Sequence, residues 1–402
     1  MLLTTPLPST TQALRRADLT GRYDLSLALA ALALAAFGAV MVASSSIPLG
    51  ADQNVGELHY FIRHLVFLGC GLTLAVMAMR IELEWIERYG FLLLLLAILL
   101  LLLVFVPGFG MRLNGARRWI RMPLASFQPV EAVKLLLIGY LASYLVRHRE
   151  AVRRKLVGVV KPVGVAILIV GLLLAQPDFG SAALIIATTV GMIWLGGARM
   201  RYLVYLGAPL LPVLAWVAAT EDYRIKRLTS FLDPWADPFK DGFQLTQALI
   251  AIGRGEWTGV GLGSSILKLH YLPEAHTDFI LAVIAEEFGL AGVVLVLGLF
   301  AWLAGRGFQL GLRAIGRGMH FAGYVAFGIA LSIALQALVS VGVNLGVLPT
   351  KGLTLPLISS GGSSVMLTCA MVGVLLRVSF EVSRAEAQAL ETTPVALAEA
   401  LA

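Results

Sequence analysis

The sequence predicts an all-α polytopic membrane protein with ten transmembrane helices, both termini cytoplasmic, and one large periplasmic loop between helices seven and eight. Three observations predict it. Of 402 residues, 58% are apolar and only 14% charged, against about 45–50% and about 25% in soluble domains. The mean hydropathy is +0.85. The chain also exceeds the roughly 250–300 residues at which a single water-soluble core stops growing. A soluble enzyme, a nucleic-acid-binding domain and a disordered chain are thereby excluded, and the lipid bilayer is the expected solvent. The formal charge of +7 suits a basic inner face better than a nucleic-acid partner. Cys70 and Cys369 both lie in apolar runs and read as small buried hydrophobes, not as a disulfide or metal site.

A spanning helix needs about 20 mostly apolar residues. Ten runs qualify: 25–46, 60–79, 90–107, 123–146, 162–177, 179–198, 202–219, 277–305, 319–345 and 357–382. Residues 1–24 form a cytoplasmic N-terminal tail, 25–382 the membrane domain and 383–402 a cytoplasmic C-terminal tail. The tail before the first run is polar and has no clean small-residue cleavage site, so it does not read as a removable signal. The fifth and sixth spans are nearly continuous and are expected to turn at Pro177-Asp178.

Lysine and arginine set the orientation. With the N-terminus inside, the inner segments carry 18 and the outer segments 12, and Lys134 lies within a span. The exception is a short outer loop bearing Arg112, Arg117, Arg118 and Arg121. It reads either as an exception outweighed by its neighbours or as an outward-facing anion site.

Residues 220–276, 57 in all, form the one long loop, and such loops are usually functional. Leu245, Leu249, Ile250 and Ile252 predict a short amphipathic helix lying on the membrane or packed on the bundle. Gly259, Gly261 and Gly263 lack the strand and the Lys-Ser/Thr helix of a phosphate loop, so they read as a flexible turn.

Ionisable groups at membrane depth are costly and mark function by default. Glu131 and Lys134 are three apart on one helical face and can pair, either as a packing device or as chemistry. Glu286 and Glu287 point about 100° apart and cannot both face one partner. Asp178 reads as a turn residue or a helix cap. Asp278 lies where the long loop re-enters the membrane. Thr277 could cap span eight with Asp278 in its first turn, a position the helix dipole favours for any acid. In the last outer loop Lys351 precedes a stretch of glycines and hydroxyl residues, Ser359-Ser360-Gly361-Gly362-Ser363-Ser364, that lets a backbone or a ligand approach closely.

Two stretches, Tyr271 to Ile280 (YLPEAHTDFI) and Leu348 to Ser364 (LPTKGLTLPLISSGGSS), resemble signatures of the SEDS family (shape, elongation, division and sporulation). Supporting matches are Asn114 to Trp119, Ser126 to Leu135, Gln176 to Gly180 and Phe231 to Trp235. The resemblance covers roughly residues 23–384 and is closer to the division member than to the elongation member. It departs at Ser360, where a tyrosine is usual, and at Ser44-Ser45-Ser46.

The resemblance implies a peptidoglycan glycosyltransferase that polymerises lipid II into a nascent glycan strand during septal wall synthesis. It would act at the outer face of the cytoplasmic membrane, at the division septum. Asp278 matches the family's essential aspartate and would be the general base. Lys351, Arg117, Arg118 and Arg112 would bind the departing pyrophosphate, and His276, Thr350, Ser359 and Ser360 would contact substrate. A divalent cation such as Mg2+ could share the charge, although no ligand cluster in the sequence fixes one. The implied partners are a class B penicillin-binding protein and other divisome membrane proteins. Gly289, Gly292, Gly298, Gly305, Gly323 and Gly328 offer a docking face for a partner helix or pack spans eight and nine internally. A lipid II flippase or transporter, the elongation-type polymerase and a non-catalytic scaffold are the rival readings.

Overall fold

The computed structural model describes residues 21–52, 56–113, 116–121, 126–209, 231–240, 242–269, 271–349 and 352–401. Its elements, in chain order, are α1 (Leu25–Asp52), α2 (His59–Arg80), α3 (Leu83–Arg88), α4 (Gly90–Leu103), β1 (Gly110–Leu113), β2 (Ala116–Arg121) and β3 (Ser126–Phe127). There follow α5 (Pro129–Arg147), α6 (Arg149–Arg154), α7 (Leu156–Ala175), α8 (Phe179–Leu195), α9 (Met200–Gly207), α10 (Phe243–Gly255), α11 (Ile280–Gly316), α12 (His320–Asn344) and α13 (Gly362–Leu401).

Seven of these helices are long and apolar enough to cross a bilayer: α1, α2, α5, α7, α11, α12 and α13. The apolar helices α4 and α8 are shorter. Together they correspond to nine of the ten predicted spans. The seventh begins as α9, and 210–219 lie outside the described residues. The fold is a mostly helical polytopic membrane bundle.

Three expectations are corrected. The bundle is not wholly helical, because β1, β2 and β3 form a small antiparallel sheet. Predicted span four accordingly starts at Pro129 rather than 123, with the proline at the first helical turn where its missing N–H costs nothing. The hairpin had a local signal, the Asn114-Gly115 dipeptide between two strand-forming segments. Second, α11 continues past the predicted 305 to Gly316 and is broken at Gly289 (φ 65°, ψ −161°). Third, Cys70 faces outward and only Cys369 is buried.

The break in α11 is filled by the long loop. Val260 and Gly261 donate their N–H groups to the carbonyls of Glu286 and Glu287, at 2.9 and 3.0 Å. Leu290 and Ala291 donate to the carbonyls of Glu256 and Trp257, at 2.9 and 3.1 Å. The backbone groups freed by the break are thus satisfied by a second segment, as an apolar surround requires. Gly289 has no alternative, since a Cβ there would sit 2.5 Å from the Gly259 nitrogen. α10, the expected amphipathic helix, packs on the bundle against α11.

Lipid offers no hydrophobic drive between helices, so close packing and internal polar bonds hold them together. A Cβ on Gly328 of α12 would lie 2.6 Å from Ile138 of α5 and 2.8 Å from Met192 of α8. Gly289, Gly292 and Gly323 are likewise packed internally, whereas Gly298 and Gly305 on α11 open onto free space. At the opposite end from the signature motifs, Asp24 pairs with Arg306 at 2.5 Å and Arg313 with Glu386 at 2.6 Å. The Asp24 N–H also donates to Ser379 Oγ at 3.0 Å, so the start of α1 and the far part of α13 meet at one end of the bundle.

Candidate active site

The segment from Glu274 to Phe279 folds into a tight turn. The N–H groups of Thr277 and Phe279 both donate to the Glu274 carbonyl, at 3.1 and 3.2 Å, and Glu274 adopts φ +56°. The Thr277 hydroxyl donates back to the Glu274 carboxylate at 2.7 Å. It therefore does not cap α11, which begins at Ile280. Asp278 precedes the helix instead of lying in its first turn.

The turn is held from below by a residue that charge-based reading overlooked. Asn344, the last residue of α12, is fully buried. Its Nδ2 donates to the Asp278 carbonyl at 2.9 Å and to the Ser340 carbonyl at 2.8 Å. Its Oδ1 accepts the Ala282 N–H at 3.1 Å. The asparagine thus grips the backbone of Asp278 and leaves the carboxylate outside that grip. The available signal was a polar amide inside an apolar run.

The second signature closes over the same turn. Ser359 donates its hydroxyl to the Thr277 carbonyl at 2.6 Å and accepts the Leu355 N–H at 2.8 Å. It is buried, so its hydroxyl shapes the turn from inside. Ser360 donates its backbone N–H to the His276 carbonyl at 2.9 Å. Gly352 passes directly beside the carboxylate, and a Cβ there would lie 3.2 Å from Asp278 Oδ2. Thr350 and Lys351, immediately before it, lie outside the described residues. The His276 ring meets Tyr60 of α2 at 5.6 Å. Burial pushes the imidazole pKa down and Glu274 only partly offsets this, which favours the neutral ring.

The arginines of the outer loop lie on the hairpin, where Arg112 pairs across the strands with Arg117. Arg112 and Arg117 are exposed and Arg118 half-buried. Among the described residues, no hydrogen bond or ion pair occupies the three guanidinium groups. Gln128, just past β3, donates its N–H to Ser363 Oγ at 3.1 Å, stitching this sheet to the end of the bundle that carries the Asp278 turn.

Glu131, Lys134, Glu286 and Glu287 each have a partner of opposite charge. Lys134 Nζ lies 2.8 Å from Glu131 Oε2, both side chains 5% exposed. Asp178 caps α8, accepting the Ser181 N–H at 3.2 Å. Glu286 and Glu287 point to different partners. Glu286 meets Arg254 at 2.9 Å and also binds the Ser265 hydroxyl. Glu287 meets Lys268 at 2.6 Å and the Ser44 hydroxyl at 2.7 Å. Arg254 and Lys268 come from the long loop, whose charges hydropathy assigned to the outside. Among the described residues no three His, Cys, Asp or Glu side chains converge into a metal-ligand cluster.

A family model described as "Cell cycle protein", which spans FtsW, RodA and SpoVE, matches residues 24–384. A probable peptidoglycan glycosyltransferase FtsW of Xanthomonas oryzae pv. oryzae is 55% identical over 375 residues, covering 93% of this chain and 76% of its own. The protein of the same name in Coxiella burnetii is 46% identical over 367 residues, covering 91% of this chain and 99% of its own. Among solved structures, one reporting structural coordination of polymerization and crosslinking by a peptidoglycan synthase complex contains a similar chain. It superposes with TM-score 0.70 at 32% identity, covering 89% of this chain and 97% of that one. The Thermus thermophilus rod shape determining protein RodA superposes with TM-score 0.65 at 30% identity, covering 89% and 96%. With one family model spanning nearly the whole membrane domain and relatives of this identity over nine-tenths of the chain, the protein belongs to the FtsW/RodA/SpoVE family of cell cycle proteins, the SEDS family whose signatures it carries.

Proposed function

We propose that this chain is the division-type peptidoglycan glycosyltransferase, polymerising lipid II at the outer face of the cytoplasmic membrane. The observation that carries the reading is the Asp278 turn: a carboxylate at the end of the bundle, its backbone clamped by Asn344, with the Gly352 loop alongside. The family membership and the names of the curated relatives support the same reaction.

In this reading the 4-hydroxyl of the acceptor GlcNAc attacks the anomeric carbon of a lipid-linked MurNAc from the face opposite the leaving group. The new C–O bond forms as the bond to undecaprenyl pyrophosphate breaks, and the anomeric centre inverts. Asp278 takes the hydroxyl proton. The electron pair leaves on the pyrophosphate, whose charge Lys351, Arg117, Arg118 and Arg112 would neutralise. His276 would offer a neutral ring to the sugar, with Ser360 beside it, and Thr350 would also contact substrate.

The proposed topology is ten spans with both termini cytoplasmic, which puts 112–121, 220–276 and 346–356 on the periplasmic side, and the proposed location is the septum. A class B penicillin-binding protein would crosslink the product. Its single helix would dock on the open face of α11 at Gly298 and Gly305, where small residues let a second backbone approach. The decisive experiment gives purified protein and partner lipid II in detergent and looks for glycan polymer on a gel beside Asp278→Ala. Polymer formation by that variant at the normal rate would overturn the base assignment.

A further inference from the structure

The two halves of the site hang from one helix. Gln336 and Asn344 of α12 are separated by two steps of four residues, hence on one face and about 12 Å apart along the axis. Ser340 lies between them, and all three are buried. Asn344 holds the Asp278 carbonyl from the outer end of this stripe. Gln336 holds the other half, donating from Nε2 to the Thr354 carbonyl at 3.0 Å. Thr354 is two residues beyond Gly352, the glycine that flanks the Asp278 carboxylate, and its own hydroxyl donates to Ser364 at 3.0 Å.

An amide can turn either way, and Lys134 decides which. Lys134 Nζ donates to Gln336 Oε1 at 2.6 Å. An ammonium has three donors and no acceptor, so the amide oxygen must face it. The amide NH2 is then aimed at the Thr354 carbonyl. The reverse orientation would set two oxygens against each other and two groups of donors against each other. Glu131 balances the lysine at 2.8 Å, so the buried pair is a neutral device that presents donors to Gln336.

We propose that Gln336 is a positioning residue for glycosyl transfer, holding the Gly352–Thr354 segment beside Asp278 in an orientation that Lys134 imposes. The proposal rests on Asp278 being the base. It assigns the ion pair a definite task, fixing the Gly352–Thr354 segment relative to the carboxylate.

The test uses the full chain purified with its partner and given lipid II. Gln336→Glu keeps an acceptor for Lys134, but the carboxylate cannot donate to Thr354. It should insert and purify like the parent, with KM for lipid II within about twofold and kcat lowered about 10–100-fold, the loss typical of a small misplacement of reacting groups. Gln336→Met should do the same. Lys134→Met made together with Glu131→Gln, so that no carboxylate is stranded, should lower kcat similarly. Adding Gln336→Met to it should cost nothing further, because both changes cut one relay. A parental kcat in Gln336→Glu, or losses that multiply in the combined variant, would overturn the proposal. Asp278→Asn in the same assay reports on the base reading separately: full activity there removes that reading whatever the Gln336 variants do.

Discussion

Asn344 donates to the backbone carbonyl of Asp278 at 2.9 Å, so the residue proposed as base is fixed through its main chain while its carboxylate stays outside the clamp. Asp278→Asn is nearly isosteric but cannot accept the proton of an attacking hydroxyl. We expect it to abolish polymer on a lipid II gel with unchanged yield and thermal stability. Asn344→Leu should instead lower stability, since a buried carbonyl left without its donor costs about 1–3 kcal/mol. A thermal melt in detergent that matches the parent would show that the clamp is dispensable.

Glu131→Ala strands the Lys134 charge in the bundle, which typically costs about 3–5 kcal/mol. Adding Lys134→Met removes the stranded charge, and stability should return. Activity should not, because Gln336 then loses the group that orients its amide. Melting temperature and polymer yield measured on the same preparations separate the two effects, and recovery of both would reduce the pair to a packing device.

The spans were legible because lipid imposes a length and composition rule that α1, α2, α5 and α12 obey directly. Their ends were less legible. α11 continues through Arg306 and Arg313 to Gly316, since a helix does not stop where its residues cease to be apolar. Its break at Gly289 was hidden because the partner backbone comes from residues 256–261 of the long loop just before α11, a pairing invisible to hydropathy. Glu286 and Glu287 were recognisable as costly groups, but their partners Arg254 and Lys268 sat in a loop counted as outside. Asn344 and Gln336 escaped a search for charges because neutral amides barely alter a hydropathy window. Asp278 itself could be singled out only through its motif; by spacing alone it looked like any acid at a helix start.

Gly352→Ala should slow polymerisation about tenfold or more with the fold intact, because misplacing a reacting group slightly is costly. The new methyl would press on Asp278 Oδ2 at 3.2 Å. Gly38→Ala should act on the same turn from behind. Its methyl would stand 2.6 Å from Ile358 Cα and 2.7 Å from the Leu357 carbonyl, displacing the segment that leads to Ser359. Initial rates with saturating lipid II check both, and parental rates in both would show the turn to be more compliant than its contacts suggest.

Topology has its own test. Phe239 is 86% exposed and lies in the long loop, whereas Arg154 lies at the junction of α6 and α7, on the proposed inner face. A cysteine introduced at Phe239 should react with an impermeant thiol reagent in intact spheroplasts, and one at Arg154 only after lysis. Since Cys70 faces outward, the background carries Cys70→Ala. The reverse labelling pattern would invert the bundle and separate the Asp278 turn from its proposed compartment.

The loop that fills the break in α11 is anchored by charge as well as by backbone. Lys268 reaches Glu287 at 2.6 Å and also donates to Ser44 and to the Gly263 carbonyl, both at 2.8 Å. It thereby joins the loop to α11 and α1 at one point. Lys268→Met leaves Glu287 buried and uncompensated, and the expected loss is about 3–5 kcal/mol. Glu287→Gln added to it removes the stranded charge while keeping an acceptor for Ser44, so most of that stability should return. The backbone bonds from Val260 and Gly261 to the Glu286 and Glu287 carbonyls do not depend on the side-chain charge. The double variant should therefore keep the loop seated and protected from protease in detergent, while Lys268→Met alone should be cut within 256–268. Equal protease resistance in both would mean that the backbone insertion alone secures the loop, and that the ion pair contributes nothing measurable to it.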